Sequence, residues 1–157
     1  MKTWQVQKFL FKASSATAWV VLLALGCAAG IAKAQTLPSD ITPAQVVSAG
    51  ADIVKLVDES RFGELWGSAS TATKKVAQQA NFNADLSKTR QPLGAVTSRN
   101  WVLVARQSLS ADKGAIAGEY LNIEYITRFA KGEVKHELVS FRFDEDKVWR
   151  FAGYLLR

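Results

Sequence analysis

The sequence predicts an α+β domain in which about three helices pack on one face of a four-stranded antiparallel meander. Two patterns indicate this fold. Between residues 43 and 90 apolar residues recur at three- and four-residue steps, as they do in helices that face a core. After residue 99 come four segments rich in β-branched and aromatic residues, joined by short polar links. Helices followed by such a sheet pack together as one layer on another.

The chain has 157 residues, 48% of them apolar and 22% charged, which are ordinary values for a globular domain. These values exclude a disordered tail and a collagen-like repeat, and the length favours one domain. We expect that domain to span residues 43–157.

Residues 1–34 have the pattern of a secretory signal peptide. Three lysines and no acid precede an uncharged apolar run, Ala18–Ala32, and the small-x-small site Ala32-Lys33-Ala34 follows it. A run of about 15 residues is shorter than the roughly 20 that a membrane-spanning helix needs. We therefore expect cleavage after Ala34 and a periplasmic or secreted protein that begins at Gln35.

Cys27 offers a second processing route, a lipoprotein anchored at this cysteine. The small residue Gly26 precedes it, but Leu25 lies one position out of the usual lipoprotein register, and the Ala34 site competes. We favour Cys27 as part of a discarded leader, and the sequence leaves its lipidation open. The membrane would be a partner only through the leader or a lipidated Cys27.

Loss of the leader changes the composition of the protein that remains. Removing its four lysines lowers the formal charge from +6 to +2 and removes the single cysteine. We therefore expect no nucleic-acid partner, because such binding needs a basic surface on the folded domain. No disulfide, thiol nucleophile or Cys-ligated metal is expected either.

Capping residues and apolar spacing place the helices. After a short lead-in at 35–42, Thr42-Pro43-Ala44-Gln45 is typical of a helix start with a capping box. We predict helices at 43–59 and at 60–79, the second open to a break in its Ser/Thr cluster. A third, at 81–90, should stop before Pro92.

Strand periodicity divides the predicted sheet into two faces. The strands are expected at about 100–108, 119–129, 134–143 and 147–156. Alternation directs a mostly apolar set to the helices and a mixed set to the other face. The polar members of that mixed set are Glu124, Arg128, His136, Ser140, Arg142, Arg150 and Tyr154. This face is interpreted as a wet surface or homodimer contact, with a ligand pocket as the alternative.

No catalytic, metal or cofactor site is predicted. His136 is the single histidine, and neither it nor Glu124 has a partner that the sequence identifies, whereas acid–base catalysis depends on geometry. One histidine without mature cysteines cannot make a structural zinc site. The sequence leaves open whether the protein is an enzyme and favours a non-catalytic role. A ligand pocket would instead require one cavity surrounded by Trp66, Tyr120, Glu124, His136 and Arg142.

Several segments together resemble the bacterial family called domain of unknown function 4019. The segment Arg90-Gln91-Pro92-Leu93-Gly94, continuing to Ser98-Arg99, resembles that family's link between helices and strands. Further resemblances, in the same order as in the family, are Val57-Asp58-Glu59-Ser60 with Leu65-Trp66, Gly118-Glu119-Tyr120, Phe129-Ala130-Lys131 with Glu137, and Trp149-Arg150-Phe151-Ala152-Gly153-Tyr154. Ser60 stands where the family usually has glycine.

The resemblance implies an exported or membrane-tethered protein with a cone-shaped, nuclear-transport-factor-2-like fold. That fold group contains enzymes and non-catalytic dimerising domains, so it selects no function, and no catalytic residue is carried over. Pro92 and Gly94 are interpreted as shaping the crossing from helix to sheet. Gly153 is interpreted as a bulge or close approach beside Trp149.

Arg90 and Arg99 are expected to pair with acids, with joint anion binding as the alternative. The leading functional hypothesis is a non-catalytic domain of the cell envelope that binds itself or an envelope protein.

Overall fold

The structure, a computed structural model, describes residues 40–111 and 116–157. The predicted signal peptide with Cys27, most of the lead-in and the polar link at 112–114 lie outside the described residues. The helices are α1 (Pro43–Asp58), α2 (Phe62–Gly67), α3 (Thr71–Val76), α4 (Gln79–Arg90) and a 3-10 turn at Gln91–Leu93. The strands are β1 (Val96–Leu109), β2 (Gly118–Phe129), β3 (Val134–Phe143) and β4 (Trp149–Leu156).

The four strands form one sheet in the order β1-β2-β3-β4, and each neighbouring pair is antiparallel. The predicted α+β class and meander are thereby confirmed. The hydrophobic core lies between the helices and one face, here called the helix-side face, to which Ile123, Val139 and Phe141 belong. The opposite face, here called the open face, contributes no residue to that core cluster.

The start of α1 follows from its sequence. The Thr42 hydroxyl accepts from the Gln45 backbone amide at 3.4 Å, and the Gln45 side chain accepts from the Thr42 amide at 2.8 Å. This reciprocal pair satisfies two amides that the first helical turn leaves open. The helix then buries an apolar stripe that includes Val46, Ile53 and Val57.

The helix predicted over 60–79 is broken at its Ser/Thr cluster, and the chain forms two helices of six residues each. Between them Ala69 makes a parallel bridge to Phe151, and the Ser70 amide donates to the Phe151 carbonyl at 2.7 Å. Ser70 also caps α3 by accepting from the Thr73 amide at 3.0 Å. Hydroxyls that bond the backbone locally and a tertiary bridge to β4 outcompete a continuous helix.

A register shift in β4 reverses the predicted orientation of its end. Ser140 pairs with Gly153, but the next residue of β3, Phe141, pairs with Phe151, so one additional residue lies in β4. The shift places Tyr154 opposite Val139 on the helix-side face, whereas simple alternation had placed it on the open face. Leu155 instead turns to the open face and is 50% exposed. One inserted residue exchanges the faces of every residue beyond it.

A similar shift occurs in β1. Trp101 pairs with Tyr125 and Leu103 pairs with Glu124, which leaves Val102 as the additional residue. Trp101 and Leu103 therefore lie on opposite faces although they are two positions apart. Both are about half exposed, at 55% and 49%, and they lie on an edge strand.

Candidate functional site

Two arginines from different elements converge on one carboxylate at the end of α1. Arg90, the last residue of α4, donates from Nη2 to Asp58 Oδ1 at 2.9 Å. Arg99, on β1, donates from Nη1 to Asp58 Oδ2 at 2.8 Å. Both arginines thus pair with the same acid. Through them Asp58 links α1 and α4 to the edge strand β1.

The second carboxylate of the cluster is Glu137, whose side chain is completely buried on the helix-side face. Arg99 donates to it from Nε at 2.5 Å and from Nη2 at 3.1 Å. The Tyr154 hydroxyl donates at 2.5 Å, and the Thr127 hydroxyl donates to the same carboxylate. A buried charge needs such partners, because its desolvation is otherwise uncompensated.

We call Asp58, Arg90, Arg99, Glu137, Thr127 and Tyr154 the arginine–carboxylate network. Burial lowers the pKa of Arg99, but its bonds to Asp58 and Glu137 outweigh burial and raise that pKa above its ordinary value. Burial, reinforced by the Glu137 carboxylate, also raises the pKa of the Tyr154 hydroxyl. Arg99 therefore stays charged and Tyr154 stays protonated as a donor.

The crossing from α4 to β1 holds Arg90 in place. Arg90 Nη1 donates to the Gly94 carbonyl at 2.7 Å, and its guanidinium lies 4.7 Å from the centre of the Phe129 ring. Gly94 has a φ of 77°, a left-handed conformation that favours glycine. Pro92 lies within the 3-10 turn, and its carbonyl accepts from Lys131 Nζ at 2.5 Å.

The structure does not bring together the five residues that the alternative pocket hypothesis requires. Trp66 packs on Phe82 with ring centres 5.4 Å apart, and Phe82 in turn contacts Phe151 of the helix-side face. The register places Tyr120 opposite Arg142, and Glu124 opposite Leu138, two residues from His136 along β3, all on the open face. The sheet therefore separates Trp66 from the other four residues.

Those four residues form two local groups. Glu124 Oε1 lies 2.7 Å from His136 Nδ1 and accepts from Arg157 at 3.2 Å. The Tyr120 hydroxyl donates to the Ile116 carbonyl at 2.7 Å.

Arg142 is 7% exposed, because it is enclosed by its partners at one end of the sheet. It donates to Asp144 at 2.8 Å, to Glu145 at 3.0 Å and to the Ala117 carbonyl. These bonds hold Ala117 and the turn at 144–145 to β3.

Trp149 is 1% exposed and packs against Phe143 with ring centres 4.9 Å apart, so it is a core residue. Gly153 lies at the register shift that the sequence had associated with it. Both therefore shape the sheet.

Two clefts flank the arginine–carboxylate network. One, of about 430 Å³, lies between α1 and β1 and includes Trp101 and Tyr125 in its walls. The other, of about 500 Å³, lies beside the crossing at Gln91–Val96. Asp58 borders both clefts. Glu137 has no exposed surface, so a solute in either cleft does not reach its carboxylate.

Two further findings concern metal ions and membranes. Within 40–111 and 116–157, no group of three or more His, Cys, Asp or Glu side chains is placed to hold a metal ion. No helix in that part of the chain is long and apolar enough to cross a bilayer.

The family model named "Protein of unknown function (DUF4019)" matches residues 49–154. The chain belongs to this family. Neither the curated proteins nor the solved structures gave a match. The DUF4019 match spans all six members of the arginine–carboxylate network, most of α1, the helices α2 to α4 and the sheet as far as Tyr154.

The structure gives a physical meaning to the segments that resemble DUF4019. Asp58, Arg90, Arg99, Glu137 and Tyr154 come from four of these segments and meet in one network. Ser60, at the position where the family usually has glycine, has a φ of 56°. A left-handed residue after α1 is thus needed here, and glycine adopts that conformation at least cost.

Sequence reasoning missed Glu137 and Asp58 as the partners of the arginines. A signal for Glu137 was present, since it alternates with Val139 and Phe141 and is a lone acid on an apolar strand face. A charge in such a position needs a buried counter-charge, and Arg99 was already suspected of pairing with an acid.

Proposed function

We propose that this DUF4019 chain is an exported, non-catalytic domain of the cell envelope that self-associates through the open face of its sheet. The observation that carries the proposal is a cross-strand row of residues, Leu103, Glu124, Leu138 and Leu155. It runs across all four strands and is three-quarters leucine. We call it the leucine row.

The leucine row is accessible at both of its ends. Leu103 is 49% exposed and Leu155 is 50% exposed. The adjacent row contains the small residues Ala105, Ser140 and Gly153, which permit close approach of another surface. Large apolar side chains beside small ones on an accessible face are typical of an association surface.

The size of the open face is suited to a dimer. Four strands about 4.8 Å apart and about nine residues long give a face of roughly 19 by 30 Å, or about 600 Å². Side chains that stand above this plane enlarge the accessible area. A stable interface buries about 800 Å² on each partner, so a second copy of this face is an occupant of fitting size. Two sheets stack in this way at about −30°.

The charge on the row is already compensated within one protomer. Glu124 is bonded to His136 at 2.7 Å and to Arg157 at 3.2 Å, and its side chain is 17% exposed. Covering it with a second sheet therefore does not bury an unpaired carboxylate. Because a twofold dimer presents the same patch from both sides, an apolar row with an internally paired charge suits it.

Non-catalytic function is supported by the way in which the strongest polar cluster is closed. In the arginine–carboxylate network the carboxylates accept from arginines and hydroxyls, and Glu137 is fully buried. Its groups hold α1 and α4 to the sheet. Such a cluster specifies packing, because both of its acids, Asp58 and Glu137, accept from arginines of the same chain.

Association is tested by light scattering on the purified protein over a range of concentrations. We expect a dimer that Leu155→Lys shifts at least tenfold toward monomer, because each copy would then bury a lysine in the row. The matched control is Val76→Lys on α3, where the apolar side chain is 70% exposed but lies away from the sheet.

A protein that stays monomeric at the highest concentration contradicts self-association. The edge of β1 is tested separately with Val102→Lys, since Val102 is 48% exposed at the bulge. Dissociation by Val102→Lys but not by Leu155→Lys would assign the contact to the strand edge and overturn the open-face proposal.

Export is supported by the leader pattern of residues 1–34. Intact mass of the protein recovered from its native envelope is expected to correspond to a start at Gln35. A mass that retains Met1 in the cytosolic fraction contradicts export. An acylated Cys27 start gives the lipid-anchored form of the same proposal.

A further inference from the structure

The cleft between α1 and β1 has the construction of a small-molecule site. One wall is the apolar side of α1, formed by Val47, Ala51 and Val54, and the other carries Trp101. Tyr125 lies between them and is 4% exposed. A volume of about 430 Å³ falls within the roughly 300–1,000 Å³ of ligand sites, and pockets of this kind are mostly apolar with a few polar groups.

Trp101 lies directly before the bulge in β1. It faces the helix side, as does its partner in the register, Tyr125. It nevertheless remains 55% exposed, while Tyr125 beneath it is buried. An indole held over a cleft with half its surface in water gains contact when a flat apolar group enters beside it.

The polar end of the cleft combines two cations and one carboxylate. Lys55 and Arg99 line it together with Asp58. Asp58 also pairs with Arg90, which does not line this cleft. Asp58 is therefore already paired with two arginines of the chain. The exposed Lys55 at the rim supplies the positive charge that the carboxylate of a ligand would meet.

We infer that this cleft binds a small aromatic carboxylate, with its ring between Trp101 and α1 and its carboxylate toward Lys55. The site lies on the helix side of the sheet, so it differs from the open face proposed for self-association. It also differs from the alternative pocket considered from the sequence, since none of Trp66, Tyr120, Glu124, His136 and Arg142 lines it.

The probe for this site is 1-naphthoate, titrated into the purified full-length protein and followed by calorimetry and tryptophan fluorescence. We expect saturable binding with one site per chain. Trp101→Ala should weaken it at least tenfold through loss of the stacking wall. Lys55→Gln should weaken naphthoate binding about fivefold or more. 1-Naphthalenemethanol, which has no carboxylate, should bind the unmodified protein more weakly than naphthoate does by the same factor.

The matched control is Lys88→Gln, an exposed lysine on α4 that does not line the cleft and should leave binding unchanged. Circular dichroism checks that each variant keeps its fold, and both key side chains are exposed enough for folding to survive. Absence of saturable binding up to millimolar naphthoate, or binding that Trp101→Ala leaves unchanged, overturns the site. Equal affinity for the alcohol overturns the assignment of a carboxylate ligand.

Failure of this site and failure of self-association are separable. Leu155→Lys, which acts on the open face, should leave naphthoate binding intact, and Trp101→Ala should leave the oligomeric state intact.

Discussion

The two faces of the sheet each carry a glutamate with basic and hydrogen-bonding partners, and burial makes these glutamates different. Glu137 on the helix-side face is fully buried and receives bonds from Arg99, Thr127 and Tyr154. Glu124 on the open face is 17% exposed in its side chain and bonds His136 and Arg157, which are half exposed. The comparison teaches that a carboxylate organises a fold where its partners are buried with it, whereas near water the same contacts are weak.

The largest expected effect comes from removing the buried carboxylate. Glu137→Ala leaves Arg99 buried without half of its charge partners and should lower the free energy of unfolding by about 3–5 kcal/mol. Urea unfolding measures the loss, with Glu124→Ala on the open face as the matched control. A loss no larger than that of the control would show that the buried network does not hold the fold.

The two tyrosines of the helix-side face, Tyr154 and Tyr125, differ in their hydrogen bonding. The Tyr154 hydroxyl donates to Glu137 at 2.5 Å, whereas the buried Tyr125 hydroxyl has no hydrogen-bond partner among the described residues. Burial raises the pKa of Tyr125 to about 12. Tyr154→Phe should therefore destabilise the protein by about 1–3 kcal/mol, because a buried charge loses a donor.

Tyr125→Phe is the matched change and should be neutral or slightly stabilising, since it deletes a hydroxyl that bonds nothing. The space around that hydroxyl is tight, because a Cβ on Gly50 would lie within 2.4 Å of it. Thermal and urea unfolding of the two variants give the order. Equal losses from both variants would contradict the assigned hydrogen bonding.

The fold class could be predicted because periodicity reports directly on which face an element buries. The strand at 134–143 was placed at its observed bounds, and the capping residues gave the start of α1. The Ser/Thr cluster left a break near Ser70 open, but the sequence could not decide it, since the break depends on a bridge between Ala69 and Phe151, 82 positions apart. Local propensity contains no information on such a contact.

The candidate site was harder to predict because it depends on register. Alternation assigned Tyr154 to the open face, and a single additional residue near Gly153 moved it into the network beside Glu137. The same kind of shift at Val102 separated Trp101 from Leu103 and gave each face one of them. Gly153 suggested a β-bulge, but the sequence does not say between which two strands the register shifts.

The smallest expected effect concerns the acid sensitivity of the open face. The hydrogen bond from His136, and then that from Arg157, lower the pKa of Glu124 below its ordinary value of 4.5. A carboxylate with a lowered folded-state pKa stabilises the protein above the unfolded value and loses this contribution as the pH falls through the folded value. Glu124→Gln should therefore be slightly less stable than the original protein at pH 7, and the difference should shrink as the pH falls below 4.5. Urea midpoints at pH 7 and at acidic pH measure this difference in stability. His136→Gln should give the same trend, because it removes the hydrogen bond that does most to lower the pKa of Glu124. A difference that grows on acidification would contradict the assigned direction and place the stabilising charge of this face elsewhere than on Glu124.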